Sequence, residues 1–221
     1  MKKREPASAY YPILLNIQGK RCLVVGGGEV ALRKVQTLLE HSATIEIVSP
    51  AFCPELNSLV KEGAVRSIQR EYKTEDLNNA LLVIAATDDT KVNAKVAADA
   101  RKKGILVNAV DKPEISDFIV PSYFRHGDII VAVSTSGKSP ALARKIRVEL
   151  ERNLKAEYAR LAVIASEVRD ELKQLDITVK SDDWQEVLNL NSLIELIKKG
   201  KSKEAKEIML TKLKTMGKRE A

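Results

Sequence analysis

The chain has 221 residues, 44% of them apolar, 30% charged and 4% aromatic, and carries a formal net charge of +7. This is enough apolar material for one large domain or for a domain with a helical appendage. The shortage of aromatics argues against a stacking platform for single-stranded nucleic acid, and no apolar stretch approaches the ~20 residues of a membrane span. The positive balance favours anionic partners such as phosphates and carboxylates.

In chain order, residues 12–17 (PILLNI) read as a short edge strand, and Gly19-Lys20 as a turn. RCLVVG is a continuous apolar strand of the kind a parallel sheet buries on both faces. From Glu29 to about His41, Val30, Ala31, Val35, Leu38 and Leu39 recur at helical spacing. TIEIVS (44–49) is the next strand, followed by a loop with Pro50 and Pro54, a short helix over 55–62 and a weak strand at 64–69. LLVIAAT (81–87) is a buried strand, DDTKVNAKVAADARKKG a capped helix ending at Gly104, and ILVNAVD (105–111) a further strand. Strand and helix alternate from 22 to 111, which predicts a doubly wound parallel sheet with right-handed crossovers. After Pro113, FIVPSYFRHGDIIVAVSTSG reads as two strands around His126-Gly127-Asp128, and KSPALARKIRVELERNL as a helix with Ser139 at its N-cap and Pro140 at its first turn. From about 151 the pattern is helical throughout: 155–175, 182–199 and 202–216.

Two cysteines, Cys22 in the first strand and Cys53 in a loop, make neither a disulfide framework nor a zinc site. Both are expected to be reduced, in a cytoplasmic protein. The first residues do not read as a signal peptide, because the short apolar patch contains Pro12 and Asn16. The lysine-rich ends, MKKRE and KKGKSKEAKEIMLTKLKTMGKRE, read as solvated faces.

Gly26-Gly27-Gly28-Glu29-Val30-Ala31 fits G-x-G-x-x-[GA] between a strand and a helix, the context in which that pattern binds a dinucleotide. Gly26 permits the tight turn, Gly28 lets a pyrophosphate approach the backbone, and Ala31 lets helix and strand pack closely. The amides at the helix start, with the positive end of the helix dipole, favour the anion. The acidic ribose clamp expected about 20 positions on would fall at Glu46, in mid-strand rather than at the tip. Ser49 sits at the tip, with no arginine there for a 2′-phosphate, so spacing alone leaves NAD against NADP open. AATDD (85–89) ends a strand on the side where ligands bind at the switch point. Its bland reading is a helix cap made by Thr87 or Asp88.

Taken together, YPILLNIQGKRCLVVGGGEVALRKVQTLLE, AATDD, VNAVDKPEISDFIVPS and VAVSTSGKSPALARKIR resemble precorrin-2 dehydrogenase, the N-terminal module of siroheme synthase, over residues 10–150. The resemblance implies NAD-dependent oxidation of precorrin-2 to sirohydrochlorin by a homodimer, with the segment after the nucleotide domain exchanged between subunits. It implies an α/β fold: a Rossmann-type domain over 1–113, a dimerisation and substrate region with strands over 114–150, and a helical domain over 151–221. It places cofactor contacts on Glu29 and Val30 and on Pro50 and Ala51, beside Gly26, Gly28, Ser49 and Thr87 from the residue reading. The aspartate ending VNAVD, Asp111, matches the family's proposed catalytic carboxylate. Some members also act as ferrochelatases, so metal insertion stays open as an alternative.

A substrate with eight carboxylates needs cations or amide donors around an apolar floor. The loop Ser134-Thr135-Ser136-Gly137, with Lys138, Ser139 and Arg144 at the helix that follows, offers both. Arg144 and Arg147 share a helix face and Lys145 diverges. Asp111 ends a strand on the ligand side of the sheet, and partial burial would make it a better base; capping the turn before Pro113 is the bland alternative. His41 and His126 show no metal-ligand spacing, and Ser134 to Ser136 have no partner for serine hydrolysis. A dinucleotide-binding regulator contacting nucleic acid and a tetrapyrrole carrier without chemistry are the rival readings. No recognition helix pair supports the first; formation of NADH on adding precorrin-2 would exclude the second.

Overall fold

The computed structural model describes residues 10–219. The opening MKKRE and the last two residues, part of the terminal charge noted above, lie outside that range. The described residues form two compact units, one ending at Val120 and the other beginning at Pro121.

The first unit is built on five parallel strands in the order β3-β2-β1-β4-β5: β1 Arg21–Val25, β2 Thr44–Val48, β3 Arg66–Ile68, β4 Leu82–Ala85 and β5 Leu106–Ala109. Helix α1 (Glu29–Glu40) joins β1 to β2, α2 (Pro54–Lys61) joins β2 to β3, and α3 (Thr90–Lys102) joins β4 to β5. Strand periodicity sorts the core into two layers. Cys22, Val24, Ile45, Ile47, Leu82 and Ile84 pack against Ala31, Val35 and Leu38 of α1 and Leu56 of α2. The alternate residues Leu23, Val25, Val83, Ala85, Val107 and Ala109 pack against Val96, Ala97 and Ala100 of α3. The sheet is thus covered on both faces, as parallel sheets are. The free edge of β5 is closed by the chain that follows: Ser116 Oγ accepts from Ala109 N–H at 2.9 Å, and the Asp117 carboxylate accepts from Val107 N–H at 3.1 Å. These side-chain acceptors take up the edge donors that would otherwise template pairing with another strand.

Residues 12–17 do not form the expected edge strand. Pro12 lacks an amide donor, and the chain turns at once after this segment, with Gln18 N–H on Asn16 Oδ1 at 3.1 Å and Lys20 N–H on the Ile17 carbonyl at 3.0 Å, before Gly19 N–H reaches the Ser42 carbonyl at 2.8 Å. Tyr11, Ile13 and Leu14 are exposed as a result.

In the second unit, β6 (Ser122–His126) and β7 (Ile129–Val133) form an antiparallel hairpin about Gly127-Asp128. Helix α4 (Pro140–Asn153) follows, then α5 (Glu157–Gln174). Beyond it two features depart from the all-helical expectation, one outside the expected helices and one inside them. A two-residue strand β8 (Ile177–Thr178) precedes α6 (Ser181–Val187), and it pairs antiparallel with β9 (Lys218–Arg219). Gly217 makes that closure possible, because a Cβ there would sit 2.4 Å from Ile177 Cγ2. The helix expected over 182–199 is two: α6 ends at Val187 with Leu188 as its C-cap, and Asn189 caps α7 (Leu190–Lys198), its Oδ1 accepting from Ser192 N–H at 3.3 Å. Helix α8 (Ser202–Met216) completes the bundle, whose core joins Leu161, Ile164, Val168 and Leu172 of α5 to Leu193, Ile194, Met209 and Leu213.

Candidate functional site

The strand order reverses between β1 and β4, so the carboxyl ends of these neighbours form the topological switch point where open parallel sheets bind ligands. The glycine turn lies there. Gly26 is buried at φ +131°, and a Cβ on it would meet the Ala86 carbonyl oxygen at 2.2 Å. The turn is pinned on both sides, by Gly26 N–H to the Val48 carbonyl at 2.9 Å and by Ala86 N–H to the Val25 carbonyl at 2.8 Å.

Gly27 is the residue that motif reasoning passed over as a variable position. A Cβ there would lie 1.8 Å from the Ala51 carbonyl oxygen and 2.8 Å from Ser49 Oγ. The Gly27 carbonyl accepts from Cys53 N–H at 2.7 Å. The loop holding Ser49, Pro50 and Ala51 is therefore laid directly on the glycine turn, and the run of three glycines was the legible sign of it.

Gly28 differs from both: a Cβ there would meet nothing within 4 Å. It is exposed and is the N-cap of α1, with no side chain capping the helix. The first-turn amides of a helix have no intrahelical acceptor, and at the starts of α3 and α4 an N-cap side chain supplies one. Asp89 Oδ1 accepts from Lys91 N–H at 2.7 Å in α3, and Ser139 Oγ from Leu142 N–H at 3.3 Å in α4. Helices α5 and α8 also start without a side-chain cap, but α1 joins its uncapped start to a glycine N-cap with open space around it at the switch point. Its residues fit a diphosphate: space where a side chain would be, amide donors and the positive helix end. Glu29 is exposed and Val30 half-buried at the mouth of this turn.

The cap of α3 is Asp89, not Thr87 or Asp88. Thr87 is instead locked by buried Asn93, which sequence reasoning did not single out. Asn93 Nδ2 donates to the Thr87 carbonyl at 2.8 Å, and Asn93 Oδ1 accepts from Thr87 N–H at 3.2 Å. Glu46 is unsuited to clamp a ribose, because its Oε1 pairs with Arg21 at 2.5 Å. Near the tip of β2, Gln69 Nε2 donates to the Pro50 carbonyl at 3.3 Å. The adjacent Arg70 guanidinium is committed to Asp76, at 2.6 and 2.8 Å.

Asp111 follows β5 in a turn, at φ +60°, with Val110 N–H bonded to the Ala85 carbonyl at 2.9 Å. The expected partial burial is not found: Asp111 is exposed. Val110 packs on the α1 side of the sheet, in the same cluster as Val30 and Leu32. Lys34 of α1 lies within reach of the Asp111 charge. Burial and the neighbouring Arg33 hold its ammonium below the ordinary lysine range, while Asp111 acts in the opposite sense. Lys34 was not anticipated, since an internal helix lysine carries no sequence signal of its partner.

The second unit holds the remaining candidates. Ser136 (φ +53°) and Gly137 (φ +83°) are left-handed, and the loop's hydroxyls bind its own amides. Ser134 Oγ accepts from Ser136 N–H at 3.0 Å and Thr135 Oγ1 from Ser139 N–H at 2.9 Å. Those amides are thus used internally, while Lys138 and Arg144 are exposed. Arg147 is partly buried and paired with Glu151, so it does not accompany Arg144 into solvent. Among the described residues no group of three or more His, Cys, Asp or Glu side chains gathers as a metal site, and no helix is long and apolar enough to cross a membrane.

Residues 13–122 match the family described as putative NAD(P)-binding, and residues 127–153 match the central segment of sirohaem biosynthesis proteins. Siroheme synthase of Chromobacterium violaceum is 42% identical over 181 residues, 81% of this chain and 38% of the relative. That of Nitrosomonas europaea is 41% identical over 203 residues, 90% of this chain and 42% of the relative. The chain thus spans less than half the length of these curated relatives. Among solved structures, SirC, a precorrin-2 dehydrogenase, superposes with a TM-score of 0.68 at 27% identity, covering 93% of this chain and 100% of that one. With a putative NAD(P)-binding match followed by the sirohaem central segment, and with these relatives, the chain belongs to the siroheme-synthase family, in the part related to precorrin-2 dehydrogenase.

Proposed function

We propose that the chain is an NAD-dependent precorrin-2 dehydrogenase that forms sirohydrochlorin in siroheme synthesis and works in the cytoplasm as a homodimer. The observation that carries the reading is the open glycine start of α1 at the switch point of a chain that matches SirC over 93% of its length. Bound there, NAD supplies the hydride acceptor. Gly26 and Gly28 keep the turn bare, and the amides of Glu29 and Val30 face the diphosphate. Ser49, Pro50 and Ala51 border the adenine ribose, and Thr87, held by Asn93, lines the far side of the turn. NAD is favoured over NADP because Arg70, the arginine next to the β2 tip, is spent on Asp76.

Asp111 takes the proton released when the substrate is oxidised. Its place in a turn past β5 leaves the carboxylate in contact with solvent, where a proton can be passed on. Lys138 and Arg144, with the hydroxyl O–H groups of the 134–139 loop, hold substrate carboxylates. The homodimer is supported by an unpartnered stripe on α4, where Leu142, Ile146 and Leu150 recur four residues apart and are 50%, 36% and 42% exposed. Absorbance at the NADH band after adding precorrin-2 tests the reaction. Asp111→Ala is expected to keep dinucleotide affinity and lose at least ~100-fold in turnover. Wild-type rates in that variant would remove Asp111 from the mechanism, and absence of NADH formation by the unaltered protein would end the reading.

A further inference from the structure

On the second unit, the end of α5, strand β8 and helix α6 enclose a depression of about 470 Å³. Its floor is apolar: Leu172, Ile177 and Val179, with the Trp184 indole beside them. Two cations stand over that floor. Arg169 and Lys173 are one turn apart on α5 and so share a face. The Arg169 guanidinium sits over the Trp184 ring, 5.6 Å from its centroid, which fixes the fork without using up its N–H donors. Among the described residues neither Arg169 nor Lys173 has an ion-pair partner, whereas Glu167 and Glu171 on the same helix are both taken up by Lys206. Among the described residues the single acid in the lining is Asp176, in a left-handed turn at φ +52°.

Two unpaired cations beside an aromatic and aliphatic floor match one kind of ligand. We infer that this depression binds a small aromatic carboxylate, its carboxylate on Arg169 and Lys173 and its rings on the floor around Trp184. The volume fits a body of one or two rings. The inference is independent of the dehydrogenase reading, because it uses only residues of α5, β8 and α6 and the turns beside them.

Trp184 is the only tryptophan of the chain, so its indole N–H resonance reports on this place alone. The full chain is titrated with naphthoate, and with uncharged naphthamide as the control of equal shape. A saturable indole shift with naphthoate and none with naphthamide is expected. The double variant Arg169→Gln, Lys173→Gln should weaken it by at least roughly tenfold, since charge-assisted bonds to the carboxylate are lost. Asp176→Asn should tighten it about threefold by removing the opposing charge. Asparagine tolerates the left-handed conformation, so this second variant keeps the fold and gives a readout even where the double variant is destabilised. No saturable shift, an equal response to naphthamide, or affinity that moves in neither variant would overturn the inference.

Discussion

Gly27→Ala and Gly28→Ala differ by one position and should fail in opposite ways. At residue 27 the added methyl would sit 1.8 Å from the Ala51 carbonyl oxygen, so that oxygen would have to retreat by about 1.2 Å to reach 3.0 Å. Overpacking of this kind costs about 1–3 kcal/mol. The same movement pulls the loop from its bond between Cys53 N–H and the Gly27 carbonyl, 2.7 Å long, for about 1 kcal/mol more. The total, roughly 2–4 kcal/mol, corresponds to a fall in Tm of roughly 4–16 °C for a chain of this size. At residue 28 the methyl would meet no protein atom within 4 Å, and φ −91° is open to alanine. Replacing glycine by alanine at an N-cap costs under ~1 kcal/mol. The methyl does, however, fill the space assigned to the diphosphate, and a loss of ~1.4–2.8 kcal/mol in dinucleotide binding is a 10- to 100-fold weaker Kd. Urea unfolding and calorimetric titration with NAD separate the two. Gly28→Ala with wild-type affinity would refute the placement of the anion over α1. Gly27→Ala with wild-type stability would refute the packing of residues 49–53 on the turn.

Further expectations concern acid stability, thiols and assembly. Burial pushes the Asp76 carboxyl up, but the bonds from Arg70 and Lys73 N–H and the charges of Arg70 and Arg21 outweigh it and hold it below the ordinary carboxylate value. A depressed carboxylate contributes stability that is present above its unfolded pKa and lost as pH falls through the folded one. The stability gap between wild type and Asp76→Asn, about 2 kcal/mol at neutral pH, should therefore shrink below pH ~4; a gap that stays constant on acidification contradicts this. Burial pushes the Cys22 thiol up to about 11, whereas Cys53 is partly exposed, so a thiol reagent near pH 8 should label one cysteine in the native chain and both in urea. Labelling of both at equal rates in the native state would contradict the burial of Cys22. Ile146→Glu, on the exposed α4 stripe, should convert a dimer to a monomer by light scattering with helicity unchanged. A variant that stays dimeric at low micromolar concentration would exclude that stripe from the interface.

Much of the fold was written locally. Apolar runs bounded by glycines and caps marked β1, β2, β4 and β5, and the 3.6-residue recurrence of Val35 and Leu38 marked α1, because burial on a sheet or helix face leaves its own period in the chain. The G-x-G-x-x-A spacing located the bare helix start for the same reason: turn and amides lie within six consecutive residues. Local reading failed where a competing local signal was weak, as at Asn189, whose side chain splits one expected helix in two. It failed also at residues 12–17, which have strand-like composition but join no sheet among the described residues.

What no local pattern encodes is which distant group stands opposite. That Gly27 faces the Ala51 carbonyl and that Lys34 feels the charge of Asp111 are consequences of parallel strands bringing loop ends together at one end of the sheet, whereas Asn93 on Thr87 and Arg70 on Asp76 each close a segment of six residues that carries no distinctive pattern. The exposure of Asp111 belongs with them. Residue types and spacing set the chemistry available to this chain, while contact between elements remote in sequence, which depends on the packed sheet as a whole, decided which of those groups remain open to a ligand.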